Sequence, residues 1–266
     1  MRVFRRILTT TPVARSSNLI PSFLPLLVPA LLAPASPHAS PLSTLSRGHL
    51  LATASSSSHR PQQRRLATMA AEKEKVRVLA LHGYGQTAEG FSSKMGAVRK
   101  ECKSAVEWVF LDAPFTVSHD SFDMTGQSWY DFSNKDEVTG DRVWGEFDKT
   151  LKLFEDTWRD QGPFDGVLGF SQGASVAMVL SALQSRGKAP PGVSFDFVCM
   201  ISGFPPADPT WRSVCMEEPI KGVRALHVIG EGDTVVEPAR SESAVGAFGG
   251  GGHVVVTHAK GHLVPS

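Results

Sequence analysis

The sequence predicts an α/β fold, built on a mostly parallel, doubly wound sheet with helices on both faces. Two observations lead to this prediction. Apolar runs of five to eight residues alternate with longer stretches of helical periodicity from residue 76 onwards. In addition, the glycine-flanked serine of Gly169-Phe170-Ser171-Gln172-Gly173 stands where one apolar run passes into a helical stretch, which is typical of a strand-to-helix turn.

Six apolar runs have the length of buried strands. The first two, Val76–Leu81 and Val106–Leu111, flank a predicted helix at Ala88–Cys102. Asp112-Ala113-Pro114 ends the second run, because proline cannot donate to a strand ladder. The remaining four runs lie at Asp165–Phe170, Phe195–Ser202, Arg224–Ile229 and His253–Thr257.

Three further stretches have the periodicity or the signals of helices. Trp144–Trp158 places large apolar residues on one face, and Gln172–Gln184 follows the third strand. Pro238–Phe248 carries proline in its first turn and ends at four glycines. Residues 115–142 have no clear period, but they include the large side chains of Phe122, Met124, Trp129, Tyr130 and Phe132.

The composition excludes several classes of protein. Hydrophobic residues are 41% of the 266 and charged residues 20%, which excludes a fibrous, coiled-coil or wholly disordered chain. Cys102, Cys199 and Cys215 are too few for a disulfide framework and form no CxxC pair, so a reducing compartment is favoured and a zinc ribbon is excluded. No spacing indicates a metal site, and no cofactor is predicted.

Charge separates the first seventy residues from the rest. Eight of the chain's 27 basic residues, all arginines, and none of its 26 acidic residues lie in 1–70, so residues 71–266 have a net charge of −7. An acidic body argues against nucleic acid as a partner. The leader also contains 11 serines and 8 prolines, as an organellar transit peptide does.

Two interpretations of residues 1–70 stay open, a mitochondrial or chloroplast transit peptide and an upstream extension before a cytosolic start at Met69. Prolines interrupt the apolar run Leu19–Ala33, which is shorter than the roughly 20 residues that a spanning helix needs, so no integral membrane segment is predicted. The folded domain is therefore predicted to be 71–266, and no obligatory protein partner is inferred.

Ser171 is the candidate nucleophile. In a G-x-S-x-G turn the serine projects outward at the top of a strand, and the glycines leave room for the neighbouring strand and helix, as in the α/β-hydrolase fold. A serine hydroxyl needs a base and an acid that orients the base. In this fold the acid and then the histidine follow the serine along the chain.

Asp233 and His262 are the predicted acid and base, because each follows a predicted strand and such strand ends meet at one edge of a parallel sheet. Alternatives stay open at both positions. Glu231 is a second candidate acid, and His258 and His253 are further candidate bases. His82 is interpreted as a loop-shaping residue and His227 as a core histidine.

An oxyanion hole requires two backbone N–H groups that point at the developing charge. Gln172, directly after the serine, and Tyr84, in the glycine loop that follows the first strand, are the candidates. Gly83, Trp129 and Phe204 are the predicted substrate contacts. Residues 115–142 are predicted to form an aromatic cap over an apolar acyl group.

Taken together, these segments resemble the family serine hydrolases, small α/β-hydrolase esterases related to the human ovarian-tumour-suppressor-locus esterase. The resemblance covers the chain from about residue 76 to its end. It is carried by the segments LHGYGQTAEGF (81–91), FLDAP (110–114), GFSQGA (169–174), ISGF (201–204), GEGDTVV (230–236) and HAKGHLVP (258–265).

This resemblance implies a serine esterase or thioesterase, acting on a small-molecule acyl ester with Ser171, Asp233 and His262 as its triad, in the cytoplasm or the nucleus. The leader is not part of the family pattern. Folds of this kind continue into a closing helix beyond the histidine, whereas this sequence stops at Ser266. That helix is therefore expected to be missing and the adjoining sheet surface to be exposed.

Two other hypotheses remain. In the first, the chain is a ligand receptor with slow or no turnover, as some α/β-hydrolase folds are. In the second, the chain is a truncated product that does not fold. A receptor binds its ligand and barely hydrolyses simple esters, so turnover of such esters distinguishes it from an enzyme.

Overall fold

A parallel six-stranded sheet forms the centre of the computed structural model, which describes residues 75–119, 124–131, 135–136, 139–249 and 252–265. The order of its strands is β2-β1-β5-β6-β7-β8, and each neighbouring pair is parallel. These strands are β1 (Val76–Leu81), β2 (Val106–Leu111), β5 (Gly166–Phe170), β6 (Phe197–Ile201), β7 (Arg224–Gly230) and β8 (His253–His258). The predicted leader, 1–70, and the aromatic positions Phe122 and Phe132 lie outside the described residues.

Helices cover both faces of the sheet, which confirms the predicted doubly wound α/β fold. The helices are α1 (Ala88–Lys94), α2 (Gly96–Cys102), α3 (Phe147–Gln161), α4 (Gln172–Ser185), α5 (Pro209–Met216) and α6 (Pro238–Val245). Phe91 and Val98 of α1 and α2 pack with Leu168 on one face, and Phe154 and Met178 of α3 and α4 pack on the other. The central strands are buried on both faces, and for this reason they are apolar throughout instead of alternating.

Two elements of the fold differ from the prediction. A separate antiparallel hairpin of β3 (Phe115–His119) and β4 (Met124–Ser128) lies in the region that has no sequence period. The predicted helix Ala88–Cys102 is two helices, and Met95, at φ −82° and ψ 8°, lies between them with its side chain fully buried. Met95 and Phe91 belong to the same apolar cluster on this face of the sheet, so the break between the helices lies at a buried position.

The helix α5 is missed by the sequence analysis, although its start carries two recognised signals. The carboxylate of Asp208 accepts a hydrogen bond from the Trp211 N–H at 3.1 Å, and Pro209 occupies the first helical position.

After β8, the described residues 259–265 contain bends and no helix. Among the described residues, none of the helices has the length and apolar character of a membrane span.

His227 lies inside β7 with 2% of its surface exposed, as predicted for a core histidine. Burial lowers its pKa from 6.5 to about 3, and the nearby His253 acts in the same direction. Between these two pKa values the unfolded chain binds a proton that the folded chain does not. The stability therefore rises with pH through this window.

The substitution His227→Leu is expected to remove this pH dependence, since leucine has no proton to bind. Between pH 4 and 6, the slope of the unfolding free energy against pH should fall by about 1.4 kcal/mol per pH unit. Urea unfolding of both proteins at several pH values in that range measures the slope. A variant with the slope of the native chain would show that His227 is protonated in the folded state.

Candidate active site

Ser171 lies at the turn between β5 and α4 in a strained conformation. Its φ is 54° and its ψ is −114°, a region that residues with a side chain rarely adopt. The Ser171 N–H donates to the Ile201 carbonyl at 2.9 Å, which ties the turn to the end of β6. This geometry directs the hydroxyl away from the sheet at the carboxyl edge of the central strand.

The motif glycines make this turn sterically possible. A Cβ at Gly169 would lie 2.4 Å from the Gly173 carbonyl oxygen. A Cβ at Gly173 would lie 2.4 Å from the Leu81 oxygen and 2.6 Å from the His82 oxygen. Helix α4 therefore approaches the end of β1 at a distance that only glycine permits.

The substitution Gly173→Ala is expected to lower the unfolding free energy by about 3 kcal/mol, since backbone atoms must move to admit the methyl group. The reactivity of Ser171 should fall with it, because the displaced backbone carries this residue. Gly96→Ala is the matched control: it is also a helical glycine, and a Cβ there meets nothing within 4 Å. Urea unfolding curves measure both variants, and an equal effect of the two would contradict the steric argument.

Asp233 lies in the loop after β7, where its buried carboxylate is held from two sides. Its Oδ1 accepts the N–H groups of Val235 at 2.9 Å and Val236 at 2.8 Å, and its Oδ2 bonds His262. Burial alone raises the pKa of Asp233. The hydrogen bonds from His262 and from these backbone N–H groups outweigh burial and lower the pKa below its usual value. The carboxylate therefore stays ionised to unusually low pH.

His262 lies between the acid and the serine. Its Nδ1 is 2.8 Å from Asp233 Oδ2, and its Nε2 is 3.0 Å from Ser171 Oγ. An ionised carboxylate can only accept, so Nδ1 carries the proton and Nε2 is free to accept one from the hydroxyl. The ring packs against Phe170 at a centroid distance of 4.8 Å. The structure thus brings together the three residues that the sequence analysis selected.

The alternative acid and bases do not join this chain of hydrogen bonds. Glu231 is exposed two residues before Asp233. His253 begins β8 and His258 ends it, and neither ring nitrogen of His258 has a hydrogen-bond partner among the described residues. Burial lowers the pKa of His258.

The loops that carry Asp233 and His262 are bonded to each other through their backbones. The Glu231 N–H donates to the His258 carbonyl at 2.8 Å, and the Gly232 N–H donates to the Lys260 carbonyl at 3.3 Å. Gly230 permits this crossing, since a Cβ there would lie 2.7 Å from the Lys260 oxygen. Gly230 and Phe170 are not among the predicted site residues, although Phe170 directly precedes Ser171 and Gly230 directly precedes the alternative acid Glu231.

The glycine loop after β1 packs directly on the serine turn. A Cβ at Gly83 would lie 3.0 Å from the Phe170 ring and 3.4 Å from Ser171 Cβ. Tyr84 follows and is 43% exposed. Gln172 is the first residue of α4, so its N–H has no acceptor within the helix. These positions keep the N–H groups of Tyr84 and Gln172 as candidates for an oxyanion hole.

His82 shapes this loop, as predicted. Its ring is fully buried, with Nε2 accepting the Ala113 N–H at 3.1 Å and Nδ1 donating to the Gly83 carbonyl at 2.8 Å. Burial lowers the pKa of His82, which favours the neutral ring that this pattern requires. The His82 carbonyl in turn accepts the indole N–H of Trp129 at 2.8 Å.

Trp129 is fully buried, and its polar groups are already paired. Besides the bond to His82, its backbone N–H donates to Gln172 Oε1 at 3.2 Å and its ring stacks on Phe154. This burial favours a supporting role for Trp129 over the predicted substrate contact. Phe204 is only partly buried, at the carboxyl end of β6. Of the predicted cap, the side chain of Tyr130 is buried and stacks on Trp144.

The side chain of Gln172 links the end of β4 and the residue after it to the serine turn, a role that its position in the motif did not indicate. Its Oε1 accepts the Trp129 N–H and its Nε2 donates to Ser128 Oγ at 2.8 Å. Both bonds are buried. The x position of the motif therefore couples the segment after β4 to the start of α4.

The substitution Gln172→Ala is expected to cost about 1–3 kcal/mol of unfolding free energy, because it leaves the buried Trp129 N–H without an acceptor. The backbone N–H of residue 172, a candidate oxyanion donor, is retained, so the effect on stability should exceed the effect on the reactivity of Ser171. Gln161→Ala, at the exposed end of α3, is the control and should change stability by less than about 0.5 kcal/mol. Thermal unfolding measures both, and equal melting temperatures would refute the linking role.

Comparisons with known proteins identify relatives of this chain. Residues 69–266 match the family described as serine hydrolase (FSH1). Esterase OVCA2 of Xenopus tropicalis is 36% identical over 214 residues, which cover 74% of this chain and 89% of the relative. Esterase OVCA2 of Danio rerio is 32% identical over 219 residues, covering 72% and 91%.

Among solved structures, the Zea mays acyl-protein thioesterase 2 superposes with a TM-score of 0.53 at 20% sequence identity. The match covers 72% of this chain and 88% of the maize protein. At this identity the likeness concerns the fold, and it agrees with the α/β-hydrolase architecture derived above.

Proposed function

Because the chain belongs to the FSH1 family of serine hydrolases, we propose that it cleaves carboxylic esters or thioesters with Ser171 as nucleophile, His262 as base and Asp233 as acid. One observation carries the assignment of roles. His262 bonds Asp233 through one ring nitrogen and Ser171 through the other, at 2.8 and 3.0 Å. A hydroxyl so placed can lose its proton to the imidazole as it attacks.

In the first step, Ser171 Oγ attacks the carbonyl carbon while His262 Nε2 takes the hydroxyl proton. Asp233 holds the Nδ1–H tautomer and stabilises the imidazolium that forms. The N–H groups of Gln172 and Tyr84 receive the oxyanion of the tetrahedral intermediate. When the intermediate collapses, the alcohol or thiol leaves with the proton from His262, and an acyl group remains on Ser171.

In the second step, water attacks the acyl-serine and His262 takes a proton from it. The acid leaves, and the proton returns to Ser171 Oγ. The low pKa of Asp233 supports this cycle, because a carboxylate that stays ionised keeps the imidazole in the tautomer that can accept a proton.

The segment 201–204 is proposed to form one wall of the acyl site. It runs beside the nucleophile turn: the Ile201 carbonyl accepts the Ser171 N–H, and a Cβ at Gly203 would lie 3.3 Å from Ala174 Cβ. Phe204 follows directly and is partly exposed. An aromatic wall in this position suits an apolar part of the substrate.

A fluorophosphonate probe tests the proposal, since it reacts with a serine only when that serine is activated. The full chain is expected to be labelled at Ser171, and His262→Ala should abolish labelling. His258→Ala is the matched control and should retain it, because His258 lies outside the hydrogen-bonded chain. Labelling that persists in His262→Ala, or is lost only in His258→Ala, would overturn the assignment of the base.

Turnover of simple p-nitrophenyl esters is the second measurement. An enzyme is expected to release p-nitrophenol repeatedly, with one equivalent of probe stopping the reaction. Binding of an ester without its hydrolysis, by a folded chain, would instead support the receptor hypothesis.

A further inference from the structure

Arg240 is an exposed cation at the start of α6, and a ring beside the candidate active site holds its side chain. Its Cζ lies 4.5 Å from the centroid of the Phe204 ring. The ion pairs found among the described residues do not include Arg240. The guanidinium is therefore positioned by an aromatic face and not by a carboxylate.

Phe204, the ring beneath Arg240, ends a segment that adjoins the candidate active site. Phe204 continues the segment 201–204, which runs beside the nucleophile turn. The charge of Arg240 also acts on the buried Tyr130. Burial and the carboxylate of Asp208 raise the pKa of Tyr130, whereas a hydrogen bond with Gln172 and the positive charge of Arg240 oppose that rise. Arg240 is thus connected to the serine turn through Phe204 and the segment 201–204.

Asp208 is the acidic residue whose charge acts on Tyr130 together with that of Arg240, and its carboxylate already accepts two hydrogen bonds. Asp208 is buried, and its two carboxylate oxygens accept the backbone N–H groups of Trp144 at 2.7 Å and Trp211 at 3.1 Å. Among the described residues, Arg240 therefore has no carboxylate as an ion-pair partner. An exposed cation over an aromatic ring contributes only about 0.5–1 kcal/mol, so folding gives little reason for a charge at this position.

We propose that Arg240 is a specificity-determining residue that binds a carboxylate on the substrate, so that the preferred esters or thioesters carry a negative charge besides the scissile bond. A guanidinium presents a planar fork of donors that matches a carboxylate in a bidentate manner. The Phe204 ring beneath it fixes this fork in place before the substrate arrives. The inference rests on the proposed function, since it concerns the substrate of that same site.

The carboxylate can belong to the acyl part or to the leaving group, and two matched pairs of esters distinguish these sources. The first pair is the p-nitrophenyl monoester of glutaric acid and the neutral p-nitrophenyl pentanoate. The second pair is the butyrate ester of 4-hydroxybenzoic acid and that of its methyl ester. In each pair the neutral ester reports the basal reaction and the charged ester reports recognition.

The full chain is expected to favour the charged ester of one pair in kcat/KM. Arg240→Gln should reduce that preference by about 10- to 100-fold, the range for a lost hydrogen bond to a charged group. The loss should appear mainly in KM, with turnover of the neutral esters within about twofold of the native value. Arg240→Lys should retain part of the preference, because it keeps the charge without the fork.

Arg99→Gln is the control for net charge. It also removes one exposed arginine, but Arg99 lines a separate basic cleft with Val106, at the amino end of β2. The preference of Arg99→Gln for the charged ester should equal that of the native chain. If Arg240→Gln leaves the preference unchanged, or slows charged and neutral esters equally, the proposal is overturned. If the native chain hydrolyses none of the four esters although it is folded, the proposed function itself fails.

Discussion

Ser171→Ala is expected to reduce kcat for p-nitrophenyl ester hydrolysis by about 10⁶-fold, the loss typical of removing the nucleophile from a serine triad. Without Oγ no acyl-serine can form, and His262 has no hydroxyl from which to take a proton. The oxyanion donors and the substrate contacts are untouched, so a small rate above that of water should remain. Steady-state kinetics with purified protein at neutral pH measure the change.

Ser175→Ala is the control for this substitution. Ser175 lies in the first turn of α4, four residues after Ser171, and its buried hydroxyl has no hydrogen-bond partner among the described residues. This hydroxyl can be removed with little effect on packing, and the rate of ester hydrolysis by Ser175→Ala should remain within about twofold of native. Native activity in Ser171→Ala would mean that a different group attacks the ester, and the proposed mechanism would be wrong.

Asp233→Asn is expected to lower kcat by about 10⁴-fold while the fold is retained. An asparagine amide turned toward His262 stabilises the ring with its proton on Nε2, and that nitrogen can then no longer accept the proton of Ser171. The loss of the negative charge also removes the stabilisation of the imidazolium. The effect should appear in kcat more than in KM, because Asp233 is buried and acts through His262.

Glu231→Gln separates this role from a general effect of acidic charge in the loop. It removes a negative charge two residues away on an exposed side chain, and kcat should remain near the native value. The two variants are compared by kcat at a single pH, after circular dichroism has shown that both are folded. A large loss in Glu231→Gln with little loss in Asp233→Asn would transfer the role of the acid to Glu231.

The strands of the central sheet could be predicted because burial on both faces makes them apolar along their whole length. Gly166–Phe170 and Phe197–Ile201 are both fully buried and differ from the predicted runs only at their ends. The serine turn could be predicted for a similar reason. Its glycines are required because backbone atoms of other residues lie where a Cβ would stand, and such a required residue type can be recognised in the sequence.

The hairpin β3–β4 could not be predicted, since Met124–Ser128 has neither an apolar period nor a turn signal that sets its register. Its pairing depends on contacts with a distant part of the chain. The Gly85 N–H donates to the Gln127 carbonyl, and the Gln127 N–H donates to the Gln86 carbonyl, each at 2.9 Å. The start of α3 differs from its predicted position for a related reason, because Glu146 adopts a left-handed conformation at the helix boundary.

The fold class, the serine turn and the set of acids and histidines that follow strands could all be derived from the chain alone, because burial, steric fit and chain order are local properties of residue types. The sequence left Asp233 and Glu231, and likewise His262 and His258, as rivals. The tertiary structure distinguishes these candidates by their contacts. The two loops cross at Gly230, their backbones bond to each other, and this crossing brings His262 within 2.8 Å of Asp233 and 3.0 Å of Ser171. Distances between residues 29 and 91 positions apart depend on how whole strands pack, which no local pattern in the chain specifies.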